Sequence, residues 1–233
     1  MGNCFRVGLA LFCLLSGPLL GATVQTDEEA RMAEVLEVVR EMGRIPEKGI
    51  PPALLSRAEA IAIIPHVVKI GLIVGGRYGM GVALVRDEKG EWSNPVFVSI
   101  KGGSVGWQIG AHATDLVLVF RSRKLLQEVT RGKLTLGADA AVAAGPLGRK
   151  ASAGIDLEFT APIYAYSRSQ GLFAGVAVDG AVFAVKKKEN EAYYDSPGVD
   201  SEAIFSGQHA ASVVSADELK KLLSEYSGES AGE

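Results

Sequence analysis

Gly102-Gly-Ser-Val-Gly106 matches G-x-S-x-G, the pattern that holds a serine nucleophile on a sharp strand-to-helix turn. Asp139, Asp156 or Asp179 followed by His209 would complete the order Ser, Asp, His. The chemistry would be acyl transfer at Ser104. It requires a helix directly after the serine, yet Trp107 to Phe120 has no helical period, contains Gly110 and ends on the strand-like Leu116-Val-Leu-Val-Phe120. His209 also sits in an acidic, polar tail. A glycine-rich β-turn with a satisfied serine accounts for the same letters, and the chain is expected not to be an enzyme. His66, His112 and His209 are too scattered for a local metal site, with no H-E-x-x-H and no cysteine partner. Asp87 to Glu91 lacks the alternating oxygen ligands of a calcium loop. Gly75, Gly76, Gly79 and Gly81 do not form G-x-G-x-x-G, and in Gly145-Pro-Leu-Gly-Arg-Lys the lysine is followed by Ala151 rather than Ser or Thr. No cofactor, metal or nucleotide is expected.

The chemistry that remains is charge beside apolar surface. Residues 61–188 hold 16 Lys and Arg against 9 Asp and Glu, whereas residues 23–60 hold 5 against 8 and residues 189–233 hold 2 against 10. A basic body thus lies between acidic ends. Such a body attracts anionic surfaces while the ends fold over it or repel non-specific polyanions, and segregated solvated charge is the competing reading. Candidate donors to an anionic headgroup are Lys69 and Arg77, flanking a glycine-rich apolar strand, Arg149 and Lys150 after Gly145-Pro-Leu-Gly148, and Arg168. Lys186 to Lys188 read instead as a soluble strand end. One cation near an anionic membrane is worth about 1 kcal/mol, so several must act together. Trp92, Trp107, Tyr164 and Tyr166 have the ring-plus-polar-tip form favoured at a membrane interface. Core or strand-pair packing is the commoner fate of such rings, preferred above all for Trp107 and evenly balanced for Trp92. Nucleic acid is disfavoured by the acidic ends and by the leader described next.

The elements that must position these residues can be read from period and punctuation. Residues 1–22 carry one charge at Arg6, an apolar run from Val7 to Leu20, then Gly21 and Ala22, the form of a secretory signal peptide. Neither Cys4 nor Cys13 follows a small-residue box for a lipid anchor, and both lie in this leader, so no disulfide or thiol chemistry is expected beyond it. Thr26-Asp-Glu-Glu29 is a capping box, and Met32, Val35, Leu36, Val39 and Met42 follow on one face, predicting an amphipathic helix over 27–43 within an N-terminal segment 23–49. Its acid-rich polar face favours packing on its own domain over a membrane. Pro51-Pro52 open a second short helix. From Ile61 to Val185 short apolar segments alternate with turn signals, and between Gly71 and Gly110 there are 10 glycines in 40 residues, a density kept where backbones bend or are closely approached. Ser122 to Arg131 reads as one inserted helix, and Leu134 to Gly148 is open between strand and buried helix. The tail from Glu189 to Gly207 is expected to be irregular, Ser215-Ala-Asp-Glu218 to cap a last helix through Tyr226, and residues 227–233 to be disordered. The fold class is α+β: a curved or barrel-like antiparallel sheet with N-terminal helices, one inserted helix and a C-terminal helix.

The stretches AIAIIPHVVKIGLIVGGRYGMGVALVRDEKGEWSNPVFVSIKGGSVGWQIGAHATDLVLVF, GKLTLGADAAVAAGPLGR and YSRSQGLFAGVAVDGA closely resemble the SYLF lipid-binding domain, found in eukaryotic actin-patch proteins and in exported bacterial proteins. The resemblance covers Ile50 to Val185, inside a domain of residues 50–226 that ends with the last helix. It implies a non-enzymatic phospholipid-binding domain, with phosphoinositides as ligands in eukaryotic members and actin binding in some fungal ones. With the leader, it implies the bacterial exported type, placed in the periplasm or at an envelope membrane, and an anionic phospholipid or membrane surface as partner. The alternative is an actin- or filament-binding or scaffold role with a protein partner. Arg77 and Arg168 are the preferred pair, because each sits in a Gly- and Tyr-containing motif of the resemblance.

Overall fold

The structure, a computed structural model, describes residues 26–44, 49–71, 74–105, 110–131, 133–147, 159–169, 171–209 and 213–228. The expected leader, the residue pair Arg149 and Lys150, Trp107 and the last five residues lie outside these ranges. Helix α1 (Asp27–Arg44) opens where expected: the Glu29 N–H donates to Thr26 Oγ1 at 3.2 Å, and Met32, Val35, Leu36, Val39 and Met42 are buried. Pro52 starts α2 (Pro52–Leu55).

The strands are β1 (Ala60–Gly71), β2 (Val74–Val85), β3 (Val96–Val105), β4 (Gly110–Phe120), β5 (Lys133–Leu136), β6 (Val142–Ala144), β7 (Ile163–Ser169), β8 (Leu172–Gly175) and β9 (Ala181–Val185). Helix α3 (Arg123–Arg131) is inserted after β4, as its period predicts. The segment left open in the sequence resolves into β5 and β6. The sheet runs β5-β9-β3-β2-β1-β4-β7-β6, with β8 also on β7, and every described pairing is antiparallel except β6 with β7. Strands β4 and β9 are four steps apart, about 19 Å in a flat sheet, yet the rings of Phe120 and Phe183 are 6.0 Å apart across the interior. The sheet therefore curls into a nearly closed barrel. Ile64, Ile100, Leu116, Leu118, Phe120 and Phe183 fill its concave side, each fully or almost fully buried.

The convex side is covered by α1 and by the C-terminal elements. Here the expected irregular tail is corrected: residues 189–207 include α4 (Lys187–Tyr193) and α5 (Ser201–Phe205). Their polar residues face inward. Asn190 Oδ1 accepts the Phe97 N–H at 2.7 Å, Tyr194 Oη donates to the Pro95 carbonyl at 2.6 Å, and the Tyr193 and Phe97 rings lie 5.1 Å apart. The final helix, α6 (Val214–Tyr226), also departs from expectation at its start, because its N-cap is Val213 with no side-chain cap. The Ser215 hydroxyl bonds Tyr193 Oη at 2.7 Å instead, a tertiary contact taking the group that the local pattern assigned to a cap.

One irregularity sets the rest of the sheet. Between Ile64 and Val67 strand β1 has one residue more than β4, and the register with β2 slips in the same place. This is a β-bulge at Pro65-His66, with His66 at φ +48°. The His66 N–H, turned out of the ladder, donates to Asp115 Oδ1 at 3.0 Å, and Asp115 Oδ2 accepts from Arg168 Nε at 2.6 Å. Both side chains are largely buried, 8% and 14% exposed, and Arg168 also lies 3.8 Å from Glu41 of α1. Removing one member of such a pair strands the other charge, so Asp115→Ala is expected to cost about 3 kcal/mol in urea unfolding. Opposite the bulge, a Cβ on Gly81 would overlap the Ile63 carbonyl and lie 2.6 Å from Ile64 Cα, both backbone atoms. Gly81→Ala is expected to lower stability by about 2 kcal/mol, read from the same urea midpoint.

Candidate functional site at the glycine-rich rim

Side chains alternate faces along a strand with period two, so one extra residue reverses the alternation beyond it. Before the bulge Ala60, Ala62 and Ile64 pair with Phe120, Leu118 and Leu116 on the concave side; after it Val67 and Lys69 do so, opposite Thr114 and His112. Lys69 is also directly opposite Arg77 of β2. The bulge thus aligns Arg77, Lys69 and His112 in one row across three strands, at the mouth of the barrel. Gly102 of β3 continues that row beyond Arg77 without a side chain.

Two cations directly opposed on a sheet repel. Among the described residues no carboxylate lies within ion-pair distance of Lys69 or Arg77, and Arg77 Nε is buried without a hydrogen-bond partner. Burial first, and Arg77 second, hold the Lys69 ammonium below its ordinary pKa. Burial also lowers Arg77, an effect opposed by the charge of Asp179. An arriving anion would relieve both effects, which is the electrostatic character of an anion subsite.

The same reversal sends Val68 and Ile70 to the convex side of the rim. Ile70 is 63% exposed, and Val68 pairs with Tyr78, 49% exposed. Lys101 of β3 is opposite Tyr78 and exposed. The rim therefore has a cationic inner lip and an apolar outer lip.

Other residues singled out in the sequence are placed elsewhere. Arg168 is not brought to Arg77. Asp115, its partner, is three residues from His112 and so faces the convex side, where Arg168 is committed to Asp115 and Glu41. Lys186 pairs with Glu189 at 2.8 Å, and Lys187 and Lys188 begin α4 rather than ending a strand. Of the two fates open to the rings, Trp92, Tyr164 and Tyr166 take the core one, since all three are buried. The Arg86 guanidinium lies 4.5 Å over the Trp92 ring, and Tyr166 Oη donates to the Pro146 carbonyl at 2.9 Å. Tyr166 is well above its usual pKa because of that burial. Ser104 lies within β3, paired with Gly75, and the next described element is strand β4 rather than a helix. Among the described residues no helix follows β3 directly, as a nucleophile elbow would require. His209 packs edge-on against Tyr194 at 5.4 Å, and Asp139 Oδ2 accepts the Thr135 N–H in a turn.

Val68, Ile70, Tyr78, Lys101 and His112 carry no sequence signature of function. The one available signal was Pro65 inside an otherwise regular β pattern, since proline within a paired strand marks a bulge.

Residues 101–226 match the family described as Las17-binding protein actin regulator, Ysc84. The chain is 38% identical over 177 residues to an SH3 domain-containing protein of Schizosaccharomyces pombe, spanning 75% of this chain and 40% of that one. It is 37% identical over 162 residues to Protein YSC84 of Saccharomyces cerevisiae, spanning 68% and 34%. It is 34% identical over 164 residues to SH3 domain-containing YSC84-like protein 1 of Homo sapiens, spanning 70% and 47%. The chain thus spans between a third and a half of the length of these relatives.

If the inner lip is a site of unrelieved repulsion, removing one cation will stabilise the fold. Lys69→Met is expected to raise unfolding stability by about 0.5 kcal/mol at low salt, with the gain shrinking in high salt, measured by urea denaturation at both ionic strengths.

Proposed function

We propose that this chain, which belongs to the Las17-binding protein actin regulator family, is a non-catalytic binding domain that docks its glycine-rich rim on anionic phospholipid. The observation that carries the proposal is the direct opposition of Lys69 and Arg77, half-buried and without a carboxylate partner among the described residues. A fold gains nothing from that arrangement, whereas a phosphate seated between the two is attracted by both. His112 stands beside them in the same row, and Lys101 lies on the other face of the rim, opposite Tyr78. At about 1 kcal/mol per cation, Lys69, Arg77 and Lys101 together supply about a hundredfold in partitioning. The cations lie on the basic body. The apolar leader supports a place at a cell-envelope membrane after export.

A second reading is favoured by the comparisons. The family description points to actin regulation, so an acidic protein surface such as a filament is the rival occupant, with the chain acting as scaffold.

The test is co-sedimentation of the purified protein with phosphatidylcholine vesicles, with phosphatidylcholine vesicles containing phosphatidylglycerol, and with actin filaments, each at low and high salt. Pelleting with the anionic vesicles that falls with salt, and that Lys69→Glu with Arg77→Glu abolishes, is the expected result. Pelleting with filaments and not with vesicles would establish the second reading. Vesicle binding indifferent to both lipid charge and the double substitution would remove the inner lip as the site.

A further inference from the structure

The outer lip contains glycines that the fold does not require. Gly76 of β2 and Gly103 of β3 are directly paired, both exposed, and Gly76 is also opposite Ile70. A Cβ built on either meets no atom within 4 Å, and neither has a positive φ. This separates them from Gly81, where backbone occupies the space, and from Gly102, where a Cβ would lie 2.7 Å from Ala181 Cα. Glycine in a strand interior weakens the strand, so one that serves neither turn nor packing calls for a reason outside the chain. The bare pair adjoins Ile70, Val68 and Tyr78, the exposed apolar residues at this end of the sheet, with Lys101 one position inward.

We propose that this outer lip enters the boundary between headgroups and acyl chains of an anionic bilayer, so that the barrel stands end-on with its rim in the membrane. The inference rests on the phospholipid reading above and adds the inserted surface and the orientation. An apolar strip carrying a tyrosine and flanked by lysine and arginine has the composition of an interfacial contact, the rings and methyl groups entering while the cations stay at the phosphates. Up to the rim, β1 is paired on both sides with β2 and β4, and β2 with β1 and β3, so the described backbone of these two strands carries no unpaired edge inward. Charge fixes the tilt. Next to the rim on the convex side lies α1, whose outward positions include Glu37, and whose first turn is Asp27, Glu28 and Glu29. An anionic surface repels that helix, which keeps the barrel from lying down on its convex side.

Two substitutions decide between a soft bilayer and a close-fitting protein surface. Because a Cβ at Gly76 has open space, Gly76→Leu leaves the fold intact, as thermal melting will verify; the same holds for Ile70→Glu at an exposed position. On vesicles of phosphatidylcholine with phosphatidylglycerol, Gly76→Leu is expected to tighten binding about tenfold, because added apolar surface partitions inward, and Ile70→Glu to weaken it about tenfold. The Gly76→Leu gain is expected to persist in high salt, unlike the contribution of Lys69 and Arg77. If the unaltered protein binds these vesicles but Gly76→Leu weakens binding or leaves it unchanged, the insertion proposal is overturned while the phospholipid reading stands. If the unaltered protein does not bind them, both fall.

Discussion

The carboxylate of Asp115 holds the point on which the architecture of this protein turns. It takes the one backbone N–H that the bulge at Pro65-His66 removes from the ladder, and it takes Arg168 Nε with its other oxygen. A bulge leaves a residue unpaired, and a buried unpaired N–H is costly. Supplying the acceptor from the neighbouring strand, with the acceptor's own charge balanced by Arg168, whose guanidinium also lies 3.8 Å from Glu41, makes the irregularity a stable part of the sheet. Everything beyond residue 66 on β1 then presents its faces in reversed phase. Lys69 turns to the mouth of the barrel, and Val68 and Ile70 turn away from it.

The two ends of the long strands are built on opposite economies. At the closed end, Ala60 to Ile64, Val82 to Leu84 and Val117 to Phe120 are fully buried on both faces, as strands covered by a filled interior and a helical layer must be. At the open end the same strands carry glycines, two opposed cations and exposed apolar side chains. The bare Gly76–Gly103 pair, the opposed cations and the exposed apolar side chains do not stabilise the fold, and the body has to carry them. Its C-terminal helices contribute to that support: α4 to α6 are tied to the start of β3 through Asn190, Tyr193 and Tyr194, far from the rim. The span matched by the family, residues 101–226, includes those helices.

Much of the fold was legible wherever a local rule decided it. Thr26 caps α1, Pro52 starts α2, and the inserted helix after β4 follows from its period. The reading failed where a polar side chain chose a tertiary partner over a local one. Asn190 and Tyr194 made the segment after β9 look soluble, yet they satisfy backbone groups of β3. Ser215 stands in a capping pattern and bonds Tyr193. Tyr164, Tyr166 and Trp92 have the chemistry of an interface and lie in the core, where Pro146 and Arg86 meet Tyr166 and Trp92. Composition cannot distinguish these fates, because the deciding atom belongs to a residue distant in the chain.

The amino-acid sequence by itself determined the α+β class, the membership of a family, the basic body between acidic ends and the identity of Lys69 and Arg77 as candidates. Each of those depends on residue types and near-neighbour spacing. Which cations act together was decided only by the tertiary structure. Arg77 and Arg168, alike in their motifs, fall on opposite faces of the sheet, while Lys69 and Arg77 become direct partners. The physical reason is the period of two. A strand's facing is a matter of phase, a single bulge resets that phase, and the bulge is held in place by a carboxylate 49 positions along the chain from the N–H it accepts.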